Sequence, residues 1–545
     1  MSAAYALSLH PDKFAVTIFE QSADTGGMAT SIPIDGAAYG AEYINDGVQG
    51  ASPVFYNTYA MFDKLGFSAS PVGMQVSFGR DKDTEFWSNV FPSRVIDKFG
   101  PDIKKFGRVL KFIKTFEPLF AVISVQAMLK MFRFSKASPI ALIRQLEDFG
   151  ETIVYPLVAL FFGTGNQTPF ISSAILERVF MDPNMRLYSP DSFLASIPDM
   201  RAFPRLSELY GSWSKEVTSR GNVDIRTSRQ VTRILRGRPV EGSSSKATVS
   251  VQVFSQSTAG LGTDQKPKEP FGPEERDEFD ELIMACDADS ALKILGKQAS
   301  WMERKVLGNV KYLWDISVTH NDVEYMEKYY RLRYSPDLKS SRTDDDAKKG
   351  YELAEKEFSP LYFIRSYPSD KKKIEMSFDL TNYQAQFKGE HPRGPLARTS
   401  PAETGEDGSP PQPPSSSPPL EKHVFQTIFL DRDGSEELWS RDDVDTDKVI
   451  YEKWWKQQSH RWQHYAGTVP WMMMINGKHH TRYAGAWSVL NMHEIAVVSG
   501  FAAAYQLGAD YPFSEDENCK RLFRLYLGLS HGSRMRAEDR KGFFA

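Results

Sequence analysis

The residues Phe14 to Phe19 form a short β-branched and aromatic run that ends in Glu20, and the glycine pair Gly26-Gly27 follows a few residues later. A carboxylate at the end of a strand can accept hydrogen bonds from the hydroxyls of a ribose, and adjacent glycines let a backbone pass close to a nucleotide. The residues before it, Ser2 to Leu9, are Ala-rich and predict a helix that closes at His10-Pro11. Helix, turn and strand would then be the second half of a dinucleotide-binding βαβ unit. Its first strand and G-x-G-x-x-G turn are expected just before Met1. A chain starting at Met1 is therefore expected to hold a dinucleotide weakly or not at all.

A second chemical segment lies near the C-terminus, in RYAGAWSVLNMHEIAVVSGFAAAYQLGADYPF, Arg482 to Phe513. Arg482 to Gly485 reads as a strand end, and Glu494 to Leu507 as a helix stopped by Gly508 in the C′ position. Asn491 is expected to cap that helix, with Glu494 completing a capping box. Ala496, Ser499, Gly500, Ala503 and Ala504 are small enough for a backbone or ligand to come close. A helix N-terminus beside a strand end offers free N–H donors and a positive dipole end, which suits a pyrophosphate.

Other reactive residue types point less far. His479-His480 and His493 lack a third ligand at helical or hairpin spacing, so no metal is expected. His320 and Asp322, in THND, fit either a substrate-side motif or a capped turn. No Ser/His/Asp or paired-carboxylate set can be assembled, and no catalytic residue is assigned. Trp454, Trp455, Trp462, Tyr465 and Trp471 could line a substrate cavity or simply fill the core.

The elements that would position these residues alternate in texture. Val223 to Arg226, Val231 to Arg236 and Glu281 to Ala285 read as strands, and Asp289 to Leu295 as a helix. Pro101 to Arg133 and Arg144 to Val179 are helical in period. A nucleotide-binding domain assembled from separated pieces, with a second domain threaded between them, fits this pattern. The expected fold class is α/β: a Rossmann-like domain from residues 1–80, 220–319 and 470–545, and an α+β substrate or cap domain from 81–219 and 320–469. Ser255 to Glu278, Ser335 to Glu357 and Gly389 to Leu420 read as polar surface insertions, the last (389–420) Pro/Ser-rich and disordered.

The 545 residues allow two or more cores, and a net charge of -4 gives no basic bias of the kind that nucleic acid favours. Two cysteines, Cys286 and Cys519, support neither a disulfide framework nor a Cys-based zinc site, and a reducing, cytoplasmic setting fits. Met1 to His10 lacks the features of a secretory signal. The apolar stretches Pro118 to Leu129 and Ile153 to Gly163 are shorter than the ~20 residues a membrane span needs. Lys104 to Phe120, KKFGRVLKFIKTFEPLF, is an apolar helix punctuated by basic residues, open to peripheral membrane contact or to burial in the cap domain.

Taken in order, the Glu20 strand with Gly26-Gly27, EYINDGVQG at Glu42 to Gly50, DIRTSRQVTRILR at Asp224 to Arg236, FDELIMACDADSALKIL at Phe279 to Leu295, and the C-terminal AGAW, HE and SG resemble the flavin-containing amine oxidase superfamily. Within it the chain is most similar to prenylcysteine-oxidase-like and desaturase-like members. The resemblance implies an FAD-dependent oxidoreductase that takes a hydride from a C–H bond of an apolar or amphipathic small molecule. It also leaves a fragment or pseudoenzyme that keeps the fold but binds FAD poorly. It implies that Glu20 holds the adenosine ribose, that Gly26 and Gly27 admit the cofactor, and that Val231 lends backbone groups to the adenine. Gly485, Ala486, Trp487, His493 and Glu494 would line the ribityl and pyrophosphate, so removing the Glu494 carboxylate is expected to weaken FAD retention more than folding. Many amine oxidases carry Gly-Glu where this chain has Gly485-Ala486. Cys286 and Cys519 lie outside the cysteinyl-flavin context, so FAD is expected to bind non-covalently.

Overall fold

The computed structural model describes residues 1–80, 86–133, 149–162, 166–181, 197–238, 250–258, 271–389 and 418–539. The first half of the fold is built on the expected helix and strand. The helix Ser2–Ser8 leads into the strand Val16–Phe19, which pairs in parallel with Val223–Arg226. The helix lies against His493–Leu507, where the small residues allow close approach. A Cβ on Gly500 would overlap the Ser2 hydroxyl and lie 2.9 Å from the Ala3 nitrogen. Tyr5, Leu7, Phe62, Leu209, Trp213, Phe501 and Phe523 fill the core between these elements.

The helix Leu206–Thr218 also belongs to this core, although its residues fall inside the expected cap segment 81–219. Leu206, Leu209, Tyr210, Trp213 and Val217 recur at three- and four-residue spacing, and that stripe is buried with the first-half helices. A second parallel pair, Leu282–Met284 with Thr481–Tyr483, stands as its own two-stranded sheet among the described residues.

Arg229–Arg238, Ser250–Ser257 and Phe271–Phe279 form a three-stranded antiparallel sheet. The described residues of the expected surface insertion Ser255 to Glu278 are thus largely strand, and 259–270 lie outside the described set. Its polarity has a physical reason: Phe271–Phe279 is an edge strand with an exposed face, whose Glu274 and Asp277 pair with Arg233 and Arg226.

The second half is a seven-stranded sheet in the order Val449–Gln458, Tyr312–His320, Phe425–Phe429, Asp370–Asp379, Tyr362–Tyr367, Val76–Phe78, Trp87–Ser88. Neighbours are antiparallel except Tyr362–Tyr367 with Val76–Phe78. Tyr312–His320 sits wholly in this sheet and runs across the expected boundary between 319 and 320.

The helices Arg94–Thr115, Val125–Arg133, Tyr155–Phe162 and Ala174–Met181 make up the expected helical insert, with residues 134–148 outside the described set. Phe99, Leu110, Ile113, Leu157 and Leu176 share a core with Ile364, Ile374 and Met376 of the sheet. The Ser335 to Glu357 stretch is a second correction. Its charged run opens the helix Asp345–Glu357, capped by Asp344, which buries Ala347, Tyr351 and Ala354 against Phe91. Of Gly389 to Leu420, residues 390–417 lie outside the described residues.

Candidate functional site

Two loops and one helix start carry the residues singled out from sequence. Glu20 closes its strand, donating its N–H to the Arg226 carbonyl at 3.0 Å and accepting from the Arg229 N–H at 2.8 Å. Its half-buried carboxylate accepts the Ser22 N–H at 2.9 Å. Val231 follows in the strand that begins at Arg229, half-buried and paired with Ser255 before a bulge. Gly26 and Gly27 take φ of 133° and 62°, in the left-handed region that disfavours any side chain. A Cβ on Gly26 would lie 3.3 Å from the Tyr210 ring.

Tyr210 connects that loop to the C-terminal segment. Its hydroxyl lies 2.9 Å from His493 Nε2, and the other ring nitrogen lies 3.1 Å from Thr58 Oγ1. Burial holds His493 down to about 4, so the ring is neutral at pH 7, with one nitrogen donating and one accepting. Gly26 and His493, far apart in sequence, thus meet through a residue that sequence reasoning passed over. Tyr210 sits on the buried stripe of its helix, and nothing in its spacing distinguishes it from a core residue.

Glu494 accepts hydrogen bonds from the start of a neighbouring helix. Its Oε1 accepts the Asn57 N–H at 2.9 Å and the Asn57 side-chain amide at 2.8 Å, and its Oε2 accepts the Thr58 N–H at 2.8 Å. The carboxylate therefore caps the helix Tyr56–Leu65, whose own N-cap, Phe55, contributes no side-chain bond. Burial pushes Glu494 up, against these hydrogen bonds. The helix His493–Leu507 begins after Met492 with no side-chain cap, so the expected Asn491 cap is not formed. Its stop at Gly508, with φ of 101°, is as expected.

Gly485 adopts φ of 151° and donates its N–H to Ser499 Oγ at 2.9 Å. A Cβ there would lie 2.7 Å from Trp487 Nε1. Ala486 and Trp487 form the following turn. The Trp487 indole donates to the Cys286 carbonyl at 3.0 Å, and its own carbonyl accepts from Gln458 at 3.3 Å.

The stretch Asn45 to Gly50 passes between the two halves and brings in residues not chosen from sequence. Asp46 is 2% exposed and accepts the Thr30 hydroxyl at 3.1 Å. The Lys453 ammonium lies 3.6 Å from Asp46, donates to Thr30 Oγ1 at 3.1 Å and sits 4.0 Å from the Trp455 ring centre. Burial pushes the Asp46 carboxyl up to about 6 against the pull of Lys453, and burial likewise lowers the Lys453 ammonium. At Gly47 a Cβ would overlap the Met28 carbonyl and lie 2.7 Å from Trp455 Cη2. Gln49 donates to Gln426 at 2.7 Å. Asp46 Oδ2, Gln49 Oε1, Ser52 Oγ and Gln426 Nε2 are buried and hydrogen-bond to nothing among the described residues. One sequence pattern could have pointed here: Lys453 and Trp455 alternate onto one face of a strand.

Of the five aromatics considered from sequence, Trp455 reaches this glycine loop. Trp454 lies against Trp439, and Trp471 is exposed. His320 and Asp322 form the capped turn: His320 Nδ1 accepts the Asp322 N–H at 3.2 Å, and Asp322 accepts the Tyr325 N–H at 3.1 Å. His480 lies 2.9 Å from Glu281, and among the described residues no three His, Cys, Asp or Glu side chains gather as metal ligands.

Residues 1–65 match the family model of an NAD(P)-binding Rossmann-like domain. Comparison with curated proteins found no match. Among solved structures, a putrescine oxidase variant with redesigned cofactor binding superposes over 93% of this chain and 96% of its own, at 11% identity and a TM-score of 0.52. The CLA-producing fatty acid isomerase from P. acnes covers 91% and 94% at 14% identity and a TM-score of 0.49. Cyclohexylamine oxidase from Brevibacterium oxydans IH-35A covers 93% and 96% at 10% identity and a TM-score of 0.49. At 11% identity the likeness to the putrescine oxidase variant speaks for the fold alone.

Proposed function

We propose that this chain, which shares the fold of the flavin-containing amine oxidase superfamily, is an FAD-dependent oxidoreductase acting on an apolar or amphipathic small molecule. The observation that carries the reading is the buried seam between the halves. At Gly26, Gly47 and Gly485 an added Cβ would crowd Tyr210, Trp455 and Trp487, and polar atoms of Gln49, Ser52 and Gln426 hydrogen-bond to nothing among the described residues. Buried polar groups ordinarily find partners, and a heteroaromatic, polyhydroxylated cofactor offers both donors and acceptors.

The residues present fit FAD. Glu20 would take the ribose hydroxyls, Gly26-Gly27 and the strand of Val231 would admit the adenosine portion, and the Gly485–Trp487 turn with the uncapped start of His493–Leu507 would face the ribityl and phosphates. The buried thiols support a flavin held without a cysteinyl link. Burial pushes Cys286 up to about 12 and Cys519 higher still, so neither supplies a thiolate for a flavin link.

Bound there, FAD supplies a two-electron acceptor for a hydride leaving a substrate carbon. The chain's own contribution is placement. Trp455 presents an apolar wall, the Asp46–Lys453 pair fixes charge beside the seam, and neutral His493 holds Tyr210 against the Gly26 loop. The nucleotide domain would comprise 1–75, 206–310 and 470–545, and the cap domain the remainder.

An absorbance spectrum of the purified chain, followed by anaerobic reduction with amines, prenyl thioethers and isoprenoid lipids, tests the proposal. Flavin bands that bleach with one of these classes support it. Flavin-free protein that takes up no added FAD overturns it. One observation favours a second reading, a chain that keeps the fold and holds flavin poorly: the two parallel strand pairs are separate sheets among the described residues.

A further inference from the structure

The helix Arg94–Thr115 turns Phe99, Ile103, Phe106, Leu110 and Ile113 into the core, so that face is already partnered. Its C-terminal end and the turns after it show the opposite arrangement. Phe112, Phe116, Leu119 and Val122 are exposed at successive helical steps, Leu119 at 57% and Phe112 at 47%. Phe112 and Phe116 lie 4.7 Å apart, and Phe112 meets Phe132 at 6.2 Å, beside exposed Met131. Scattered surface apolar residues are ordinary, but a contiguous aromatic cluster marks an interaction site.

The charges around it are mostly cationic, with Glu117, half-buried between Phe116 and Leu119, as the carboxylate within the segment. Between Ile103 and Phe116 the sequence holds five cations and no carboxylate, and Lys104, Arg108 and Lys111 are exposed, with Lys130 nearby on the next helix. Lys114 is the exception in use, 3.3 Å from Glu177.

We infer that this face docks on an anionic lipid bilayer, with Phe112, Phe116 and Leu119 entering the interface and Lys104, Arg108 and Lys111 meeting the headgroups. Charge complementarity selects this occupant. A second copy of the chain meeting the same face about a two-fold axis would set these cations against themselves. Among the described residues no helix is long and apolar enough to cross a membrane, so the contact is peripheral. The inference is independent of the flavin reading.

Co-sedimentation of the full chain with vesicles tests it, using phosphatidylcholine alone and phosphatidylcholine with one-fifth phosphatidylserine at 0.1 M salt. The chain should partition onto the anionic vesicles and weakly onto the neutral ones. A Lys104→Glu/Arg108→Glu/Lys111→Glu variant should lose about a hundredfold or more, at about fivefold per cation removed. A Phe112→Ser/Phe116→Ser/Leu119→Ser variant should lose partition comparably. Because all six side chains are exposed, both variants should melt with the parent, and a second, non-overlapping variant guards against misfolding of either. Absence of binding to the anionic vesicles, or equal binding by parent and both variants, overturns the inference. So does a solution dimer that the serine variant dissolves without any vesicle binding.

Discussion

Single residues at the seam carry opposed electrostatic demands. Asp46 is raised to about 6 because burial outweighs its Lys453 partner. Between the unfolded value near 4 and that level, the native state binds the extra proton, so this contribution is fully present at low pH and is lost as pH rises through about 6. Asp46→Asn should therefore gain on the parent as pH rises from 4 to 7, by up to about 3 kcal/mol. Denaturant unfolding at both pH values measures it, and a constant difference would show that Asp46 does not titrate in this window. The two thiols give a simpler expectation. Neither Cys286 nor Cys519 should react with Ellman's reagent in the native protein at pH 8, and both should react after unfolding.

At the scale of elements, two helix contacts depend on one residue each. Glu494 satisfies the first N–H groups of Tyr56–Leu65, so Glu494→Ala leaves buried donors unpaired at a cost of about 1–3 kcal/mol. A lower melting temperature in flavin-free protein is the expected readout, and an unchanged one with reduced flavin content would return Glu494 to the cofactor. Gly500 seats the opening helix on His493–Leu507. Gly500→Val should cost about 1–3 kcal/mol by overpacking, visible as a lower denaturation midpoint with the slope unchanged.

For the whole molecule, burial dominates the histidines. His320, His464, His493 and His531 are held down to about 4 and His460 to about 3, all below the ordinary 6.5. The unfolded chain binds these protons and the native state does not, so their linkage removes stability as pH falls below about 6.5. Asp46 and Asp315, raised to about 6 and about 7, act in the opposite sense. Asp102, Asp287, Asp431 and Glu494, raised by burial, and His423, raised by its Asp379 partner against burial, act with those two carboxyls, and the five lowered histidines are expected to outweigh the group near pH 5. The free energy of unfolding should be lower at pH 5 than at pH 7.5, and the reverse order would show that the histidines are solvated.

The strand ending in Glu20, the glycine pair, the Gly508 stop and the helical insert were readable from the residues, because each rests on local propensity and period. The ordered motifs also carried the fold. Polarity misled at Ser255 to Glu278 and Ser335 to Glu357, since an edge strand and a capped helix can keep a charged face in water while burying a narrow stripe. Tertiary structure alone decided that Glu494 caps a helix more than four hundred positions away, that Tyr210 joins the Gly26 loop to His493, and that Asp46 and Lys453 meet beside Trp455. These are contacts between segments distant in sequence, fixed by which faces the two cores bury, and no local pattern encodes which distant face arrives.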